Sequence, residues 1–484
     1  MSRTSVVIVG GGISGLAAAW ELSGGAEGPN ERTPRIELIE SADHFGGALT
    51  TADFAGRRID LGADGFLARR PEAVALVRDL GWLDRLEAID ASGVSLWLHG
   101  ALHELPSGLV LGLPVSHRQV DQVKGLSWRA RLAARRDEIM PARLTVKDDM
   151  SIGEIVRTKL GRELSYKFVE PMIGGIQAGR IDELSAKSVF PPLLEAARRG
   201  GSLMKALRPP TPATPAPTGA PADPGPMFYS LQGGVGSLPE ELTRRLVERG
   251  VVLRCGVAVT ALRRTPAGNY PWEVDTATTT TPANALIFAA PAPVAGQLLG
   301  AYDPALRALA SVRRAGAAMI TFCIARDQVR LTASGTGVLV PLGTPWPGEG
   351  TLMVTAVTLL DRKWPRLRRD DDVILRAHVG RIDDDRWTAM SDDELVARVA
   401  RELALVLPHF GTHLEARVQR WPEGLPQYVV GHDQMIAAAR AASGPMRIAL
   451  CGMAYDGVGV PASIGSGRRA ARETLEGLGG VPTI

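Results

Sequence analysis

Near its start the chain runs a β-branched stretch, Ser5 to Val9, into Gly10-Gly11-Gly12-Ile13-Ser14-Gly15 and then into the small and apolar residues Leu16 to Leu22. A buried strand, a glycine turn and a helix in immediate succession open a doubly wound α/β sheet. No other feature narrows the fold as much. Gly10 permits the tight turn, Gly12 lets backbone approach a pyrophosphate, and Gly15 lets helix and strand pack closely. The free amides and the positive dipole end of the helix complete a phosphate site. A second strand is expected over 35–40. Glu40 closes it, where a carboxylate accepts from ribose hydroxyls and repels a 2′-phosphate, so FAD or NAD is favoured over NADP.

Two further glycine turns separate FAD from NAD. His44-Phe45-Gly46-Gly47 follows Glu40 closely, and Asp60-Leu61-Gly62-Ala63-Asp64-Gly65 comes soon after. A nicotinamide site needs no such extensions, whereas the elongated flavin has a diphosphate and a ribityl chain to hold. Far downstream, Leu450 to Pro461 repeats the pattern of strand, glycine loop and helix. Its N–H groups could face the flavin's pyrimidine edge and stabilise charge on the reduced ring. The expectation is that both ends of the sequence meet around one FAD.

Composition bounds the rest. A chain of 484 residues exceeds what one core usually supports. A net charge of +3 argues against a nucleic-acid binder. Cys255, Cys323 and Cys451 form no CxxC pair, which fits a reducing cytoplasm, and no metal site is expected. No signal peptide is recognised, and no apolar run approaches the roughly 20 residues of a membrane span. The stretch 105–115, apolar but broken by two prolines, is expected to be a buried or substrate-facing loop, and peripheral membrane contact of the protein stays open.

The expected class is α/β. A Rossmann-like FAD-binding domain is assembled from 1–90, 227–295 and 441–484. A mixed-sheet substrate domain covers 296–440, and a separate helical lobe covers 91–226. The lobe's helices include 127–140, 152–160 and 163–172, and its tail, 209–226, is a Pro/Ala/Thr-rich surface loop. Residues 82–86 also read as helical, and 94–98 with 102–105 as a hairpin about His99-Gly100. Strands of the substrate sheet are expected at 319–324, 337–340 and 353–358.

Other segments carry a family resemblance: Pro171-Met172-Ile173-Gly174-Gly175-Ile176-Gln177-Ala178-Gly179, Asp182-Glu183-Leu184-Ser185, Gln232-Gly233-Gly234-Val235-Gly236-Ser237, and Pro426-Gln427-Tyr428 with Gly431-His432. They resemble the porphyrinogen oxidases of haem biosynthesis, within the amine-oxidase-like flavoproteins, along nearly the whole chain. By motif, the resemblance implies FAD contacts at Gly10, Gly11, Gly12, Ile13, Ser14, Gly15, Glu40, Gly47, Leu61, Gly62, Ala63, Asp64, Val259, Met453, Val458, Gly459 and Val460. The Val259 backbone would read the adenine. Two departures stand out. Ala48 replaces the Arg, Lys or Trp of many relatives, and Ser92-Gly93-Val94 lacks the substrate-binding arginine of the plant enzymes.

The resemblance implies that a porphyrinogen loses hydride from a bridging carbon to flavin N5, with pyrrole deprotonation and tautomerisation, until the porphyrin is aromatic. Dioxygen reoxidises the flavin and hydrogen peroxide leaves. Gly174, Gly175 and Gly179 are expected to let substrate or oxygen come close. Arg180, Lys187, Arg198, Arg199 and Lys205 are the cations nearest in sequence for its propionates. No general base is assigned, since His432, His44 and His409 each read as structural. A bacterial-looking composition favours coproporphyrinogen III over protoporphyrinogen IX. An amine oxidase, a desaturase, or a non-catalytic tetrapyrrole-binding partner remain as other readings, as does transient contact with other haem-pathway enzymes.

Overall fold

A computed structural model describes residues 4–91, 93–209, 225–265, 270–331, 335–407 and 409–479. Most of the Pro-rich segment 209–226 and Ser92 lie outside the described residues. The chain forms two compact units: 1–88, 227–313 and 433–484 make the first, and 89–226 with 314–432 make the second.

The first unit is organised by a five-stranded parallel sheet. Its strands are β1 (Ser5–Val9), β2 (Arg35–Ile39), β3 (Val252–Arg254), β4 (Ala285–Phe288) and β5 (Ile448–Leu450), in the order β3-β2-β1-β4-β5. Alternation along β1 shows why both faces are covered. Val6 and Ile8 join a core with helices α1 (Ile13–Leu22) and α2 (Val460–Gly479), while Val7 and Val9 join a second core under a three-stranded antiparallel sheet. The helices touch backbone to backbone. A Cβ on Gly467 of α2 would lie 2.0 Å from the Ser14 carbonyl oxygen of α1. Salt bridges from Arg468 and Arg472 to Glu21 flank this seam.

The second unit contains a seven-stranded mixed sheet in the order His413–Pro426, Arg314–Ala325, Asp372–Val379, Val354–Leu359, Gly337–Leu339, Val94–Leu98, Ala101–Glu104. One pair, Gly337–Leu339 with Val94–Leu98, is parallel, and the others are antiparallel. Helix Asp392–Val406, opened by a Ser391/Glu394 capping box, packs into one core of this unit. Helices Trp128–Ile139, Ile152–Leu164, Glu170–Gln177 and Pro191–Arg198 fill another.

Several expectations are corrected. The middle helices do not form a lobe of their own, because Leu96, Leu98 and Leu339 of the sheet share their core. Residues 296–313 and 433–440 belong to the first unit, since Leu299, Leu306, Leu309, Ile436 and Ala439 are buried in its second core. Residues 82–86 hold only one 3₁₀ turn, Leu83–Arg85, before the short strand Leu86–Ala88. Strands Asp372–Val379 and His413–Pro426 were not expected.

Candidate functional site

Three glycine turns converge at the tip of β1. Gly10 has φ +107°, and a Cβ there would sit 2.6 Å from the Ala290 nitrogen. On Gly15 it would lie 2.0 Å from the Gly10 carbonyl oxygen, so only hydrogen fits between strand and helix. Gly12 is different, because a Cβ there would meet nothing within 4 Å. The turn is closed on its inner side and open where a ligand's phosphates would come. Ile13 and Ser14 start α1 and are themselves buried.

The neighbouring segments are tied to this turn by backbone. Gly46 N–H donates to the Gly11 carbonyl at 2.8 Å, and Gly12 and Gly46 form a parallel bridge. The Gly47 backbone lies close enough that a Cβ there would be 3.5 Å from the Gly12 Cα. Glu40 accepts from Gly11 N–H at 2.5 Å through one carboxylate oxygen and from Ala42 N–H at 2.8 Å through the other. Its main chain pairs with Arg254 and Val257, which leads on to the strand opened by Val259. Gly62 packs against the Ala48 carbonyl, bringing Leu61, Gly62, Ala63 and Asp64 to the same edge. Asp60 accepts from Gly236 N–H at 3.2 Å, which gives the 232–237 glycine loop its place against this hairpin.

The loop after β5 completes the arrangement. Gly452, Gly457 and Gly459 have φ of +122°, +113° and +120°, and Gly459 again leaves open space. Val458 is half-buried, Met453 is half-buried, and Val460 begins α2. A clamp that no sequence motif announces holds this loop. Asp456 accepts from Arg440 Nη2 at 2.7 Å, Arg469 Nη2 at 2.9 Å and Ser466 Oγ; Ser466 in turn accepts from Gly452 N–H at 2.8 Å. Burial opposes ionisation of Asp456, but the bonds from Ser466 and Arg440, with the charges of Arg469 and Arg440, outweigh it and hold the carboxyl below its usual range. Burial pushes the Cys451 thiol up to about 12, so it offers no thiolate nucleophile.

In the second unit the family-like segments brace one another. Asp149 accepts from Ser185 Oγ at 2.7 Å, Lys187 N–H at 3.2 Å and Gly431 N–H at 3.1 Å. Asp182 accepts from Tyr166 at 2.7 Å and pairs with Arg157. His432 is buried and stacks on Tyr428 with ring centroids 4.6 Å apart. Beneath the Gly174–Gly179 stretch lies a buried ion pair, Glu170 with Arg381, and Arg381 also donates to the Gly179 carbonyl. Burial raises the Glu170 carboxyl above its usual range, against the opposing pull of Arg381 and Arg180. The space beside Gly174 and Gly179 is therefore not open to a ligand. A Cβ on Gly174 would meet Arg381 Nη2 at 2.7 Å, and one on Gly179 would meet Gln427 Oε1 at 2.3 Å. Only Gly175 is exposed with free space beside it. Among the candidate propionate cations, Arg180, Lys187 and Arg198 are in ion pairs with Asp383, Asp148 and Glu195, and Lys205 donates to the Glu138 carbonyl.

The family model described as flavin containing amine oxidoreductase matches residues 13–475. The chain belongs to this family. As a member it is a flavin-dependent oxidoreductase with FAD as its cofactor, and the α/β class expected from the sequence is borne out. The resemblance to porphyrinogen oxidases is also borne out. A coproporphyrinogen III oxidase of Bacillus subtilis is 32% identical over 477 residues, 98% of each chain. A coproporphyrinogen III oxidase of Mycobacterium leprae is 33% identical over 97% of this chain and 98% of its own. Human protoporphyrinogen oxidase is 31% identical over 98% and 99%. Among solved structures, an Exiguobacterium protein provisionally named protoporphyrinogen oxidase superposes with a TM-score of 0.84 at 29% identity, covering 99% of this chain and 100% of that one. Cyclohexylamine oxidase of Brevibacterium oxydans, at 15% identity and a TM-score of 0.67, shares the fold.

The residues of this flavoenzyme's first unit suit FAD. Gly12 and Gly459 leave space that any side chain would fill, two helix starts aim N–H groups there, and Glu40 stands at the end of β2. Sequence reasoning missed Asp456, Arg440 and Arg469. The one available signal was an acid directly before Gly457.

Proposed function

We propose that this flavoenzyme oxidises coproporphyrinogen III to coproporphyrin III. The observation that carries the reading is the full-length match, at 31–33% identity, to relatives named coproporphyrinogen III oxidase. The motifs Gly174 to Gly179, Asp182 to Ser185 and Pro426 to His432 support it. Bound FAD supplies a hydride acceptor at N5, which dioxygen returns to its oxidised form with release of hydrogen peroxide.

The contacts proposed for FAD are those named from the sequence. Gly10 to Gly15 and the start of α1 take the pyrophosphate, and Glu40 accepts from ribose hydroxyls. Gly47 and Leu61 to Asp64 line the ribityl side, and the Val259 backbone reads adenine. Met453 and Val458 to Val460 lie along the ring. Gly175 is the remaining substrate-side glycine. No side chain is assigned as a general base. His432 is engaged in its stack with Tyr428, and formation of an aromatic macrocycle supplies the driving force. The protein's work is then to orient the macrocycle and exclude water.

A second reading, protoporphyrinogen IX, is favoured by the human relative at 31% identity. The test is the purified holoprotein in air with each porphyrinogen. A rise of porphyrin fluorescence above autoxidation, with matching peroxide, is expected for coproporphyrinogen III. Acceleration only for protoporphyrinogen IX selects the second reading. Binding of either without acceleration refutes both.

A further inference from the structure

We propose that Arg381 and Gln427 are positioning residues, which hold the Gly175–Ile176 edge in place as the seat of the porphyrinogen. This role presupposes the porphyrinogen-oxidase reading. Helix Glu170–Gln177 ends at Ala178, which adopts the left-handed conformation with φ +47° and ψ 28°. A helix end leaves carbonyls that its own amides cannot reach. Here three successive carbonyls accept from groups far along the chain. Gln427 Nε2 donates to the Gln177 carbonyl at 2.8 Å, the Ile382 N–H to the Ala178 carbonyl at 2.8 Å, and Arg381 Nη2 to the Gly179 carbonyl. The same Nη2 meets one carboxylate oxygen of Glu170, whose other oxygen accepts from the Ile181 N–H at 3.0 Å. One guanidinium thus ties the start of the helix to the turn that follows it.

The glycines of this stretch divide between two tasks. Gly174 and Gly179 are bare because the braces lie against them, Arg381 Nη2 on the first and Gln427 Oε1 on the second. Gly175 is bare on a different side, where a Cβ would meet nothing within 4 Å. Between 170 and 179 only Gly175 and Ile176 are exposed, Ile176 to 51%. A backbone without a side chain beside a single isoleucine makes a low edge, suited to the flat face of a tetrapyrrole. Arg381 and Gln427 are themselves buried. They act through the turn, which cannot shift without breaking bonds to two separate segments at once.

The test is steady-state turnover of whichever porphyrinogen the FAD-loaded parent accelerates, with chemical denaturation of every protein. The variants are Arg381→Met, Glu170→Met/Arg381→Met, Gln427→Met and Arg381→Lys. The double variant is decisive, because it removes both buried charges while the Gly179 carbonyl still lacks its donor. It is expected to regain most of the stability that Arg381→Met loses and yet to keep the kinetic defect. That defect is a KM raised about tenfold with kcat within about threefold of the parent. Gln427→Met, which touches neither charge, is expected to raise KM as well, and Arg381→Lys to restore part of the affinity. A purely structural role lowers the active fraction, and hence kcat, while KM stays put. A double variant with KM within about twofold of an active parent therefore overturns the positioning alone. A parent that accelerates neither porphyrinogen refutes the functional reading, and this role with it.

Discussion

Replacing Gly12 by alanine separates the needs of the cofactor from those of the fold. Gly12 has φ −64° and ψ 174°, a backbone open to any L-residue, and a Cβ there would meet no protein atom within 4 Å. In the apoprotein, alanine at this helix start costs a few tenths to about 1 kcal/mol. The stiffer unfolded chain returns about 0.4–1 kcal/mol, so the two nearly cancel. With FAD present, the methyl stands between the pyrophosphate and the amides of α1. Losing one charge-assisted hydrogen bond costs about 1.5–3 kcal/mol. That is roughly a 10- to 150-fold rise in the dissociation constant. Flavin fluorescence titration of deflavinated protein measures the affinity, and thermal unfolding of the same apoprotein measures the fold. A Gly12→Ala protein that binds FAD within about twofold of the parent would refute the placement of the pyrophosphate. An apoprotein Tm that falls in step with affinity would refute the claim that only the ligand senses this position.

Other perturbations test the remaining parts. Gly467→Ala needs α1 and α2 to part by about 1.4 Å to restore an ordinary contact of 3.4 Å; the apoprotein is expected to lose about 1–3 kcal/mol in chemical denaturation. Arg381→Met leaves the buried Glu170 carboxyl with only the longer Arg180 contact and the Ile181 N–H bond, and should cost up to about 3–5 kcal/mol, whereas Glu170→Met/Arg381→Met should recover most of it. Recovery no better than the single variant would show that the pair is not the source. The Asp456 carboxyl is held below its ordinary range in the folded state, so its clamp is intact at neutral pH and is lost as pH falls through the depressed value. Acid-driven FAD release should therefore steepen below about pH 4 in the parent and flatten in Asp456→Asn, which already holds FAD more weakly at neutral pH. His432→Phe keeps the stack on Tyr428 and should leave kcat and its pH profile within about threefold; loss of a titrating limb would make His432 the missing base.

What could be read from the sequence was local. The strand, turn and helix at Ser5 to Leu22 lie in one unbroken stretch, and Gly15 answers the Gly10 carbonyl within it, although the close neighbours of Gly10, Ala289 and Ala290, come from far along the chain. The hairpin about His99-Gly100 was legible for the same reason. Strand Asp372–Val379 was not, since it follows Asp370-Asp371 and carries Arg376, which is buried in mid-sheet donating to Thr321. Strand His413–Pro426 is polar and contains Pro422, which its place at the sheet edge allows. The pair Glu170 and Arg381 spans 211 positions and leaves no periodic trace. Gly174 and Gly179 show a different limit. A sequence records that a side chain is missing but not whether a ligand or an arginine takes its room.

The seam between α1 and α2 has a consequence for biosynthesis. Glu21 and Arg472, which meet across it, are 451 positions apart. While the chain is being made, α1 waits on the ribosome with its packing groove uncovered until the distant helix emerges. Early fragments hold the phosphate turn but lack the helix that covers α1, so nascent chains should acquire flavin only once α2 has been synthesised. Cofactor supply would then act on chains that already carry α2, as a checkpoint on maturation.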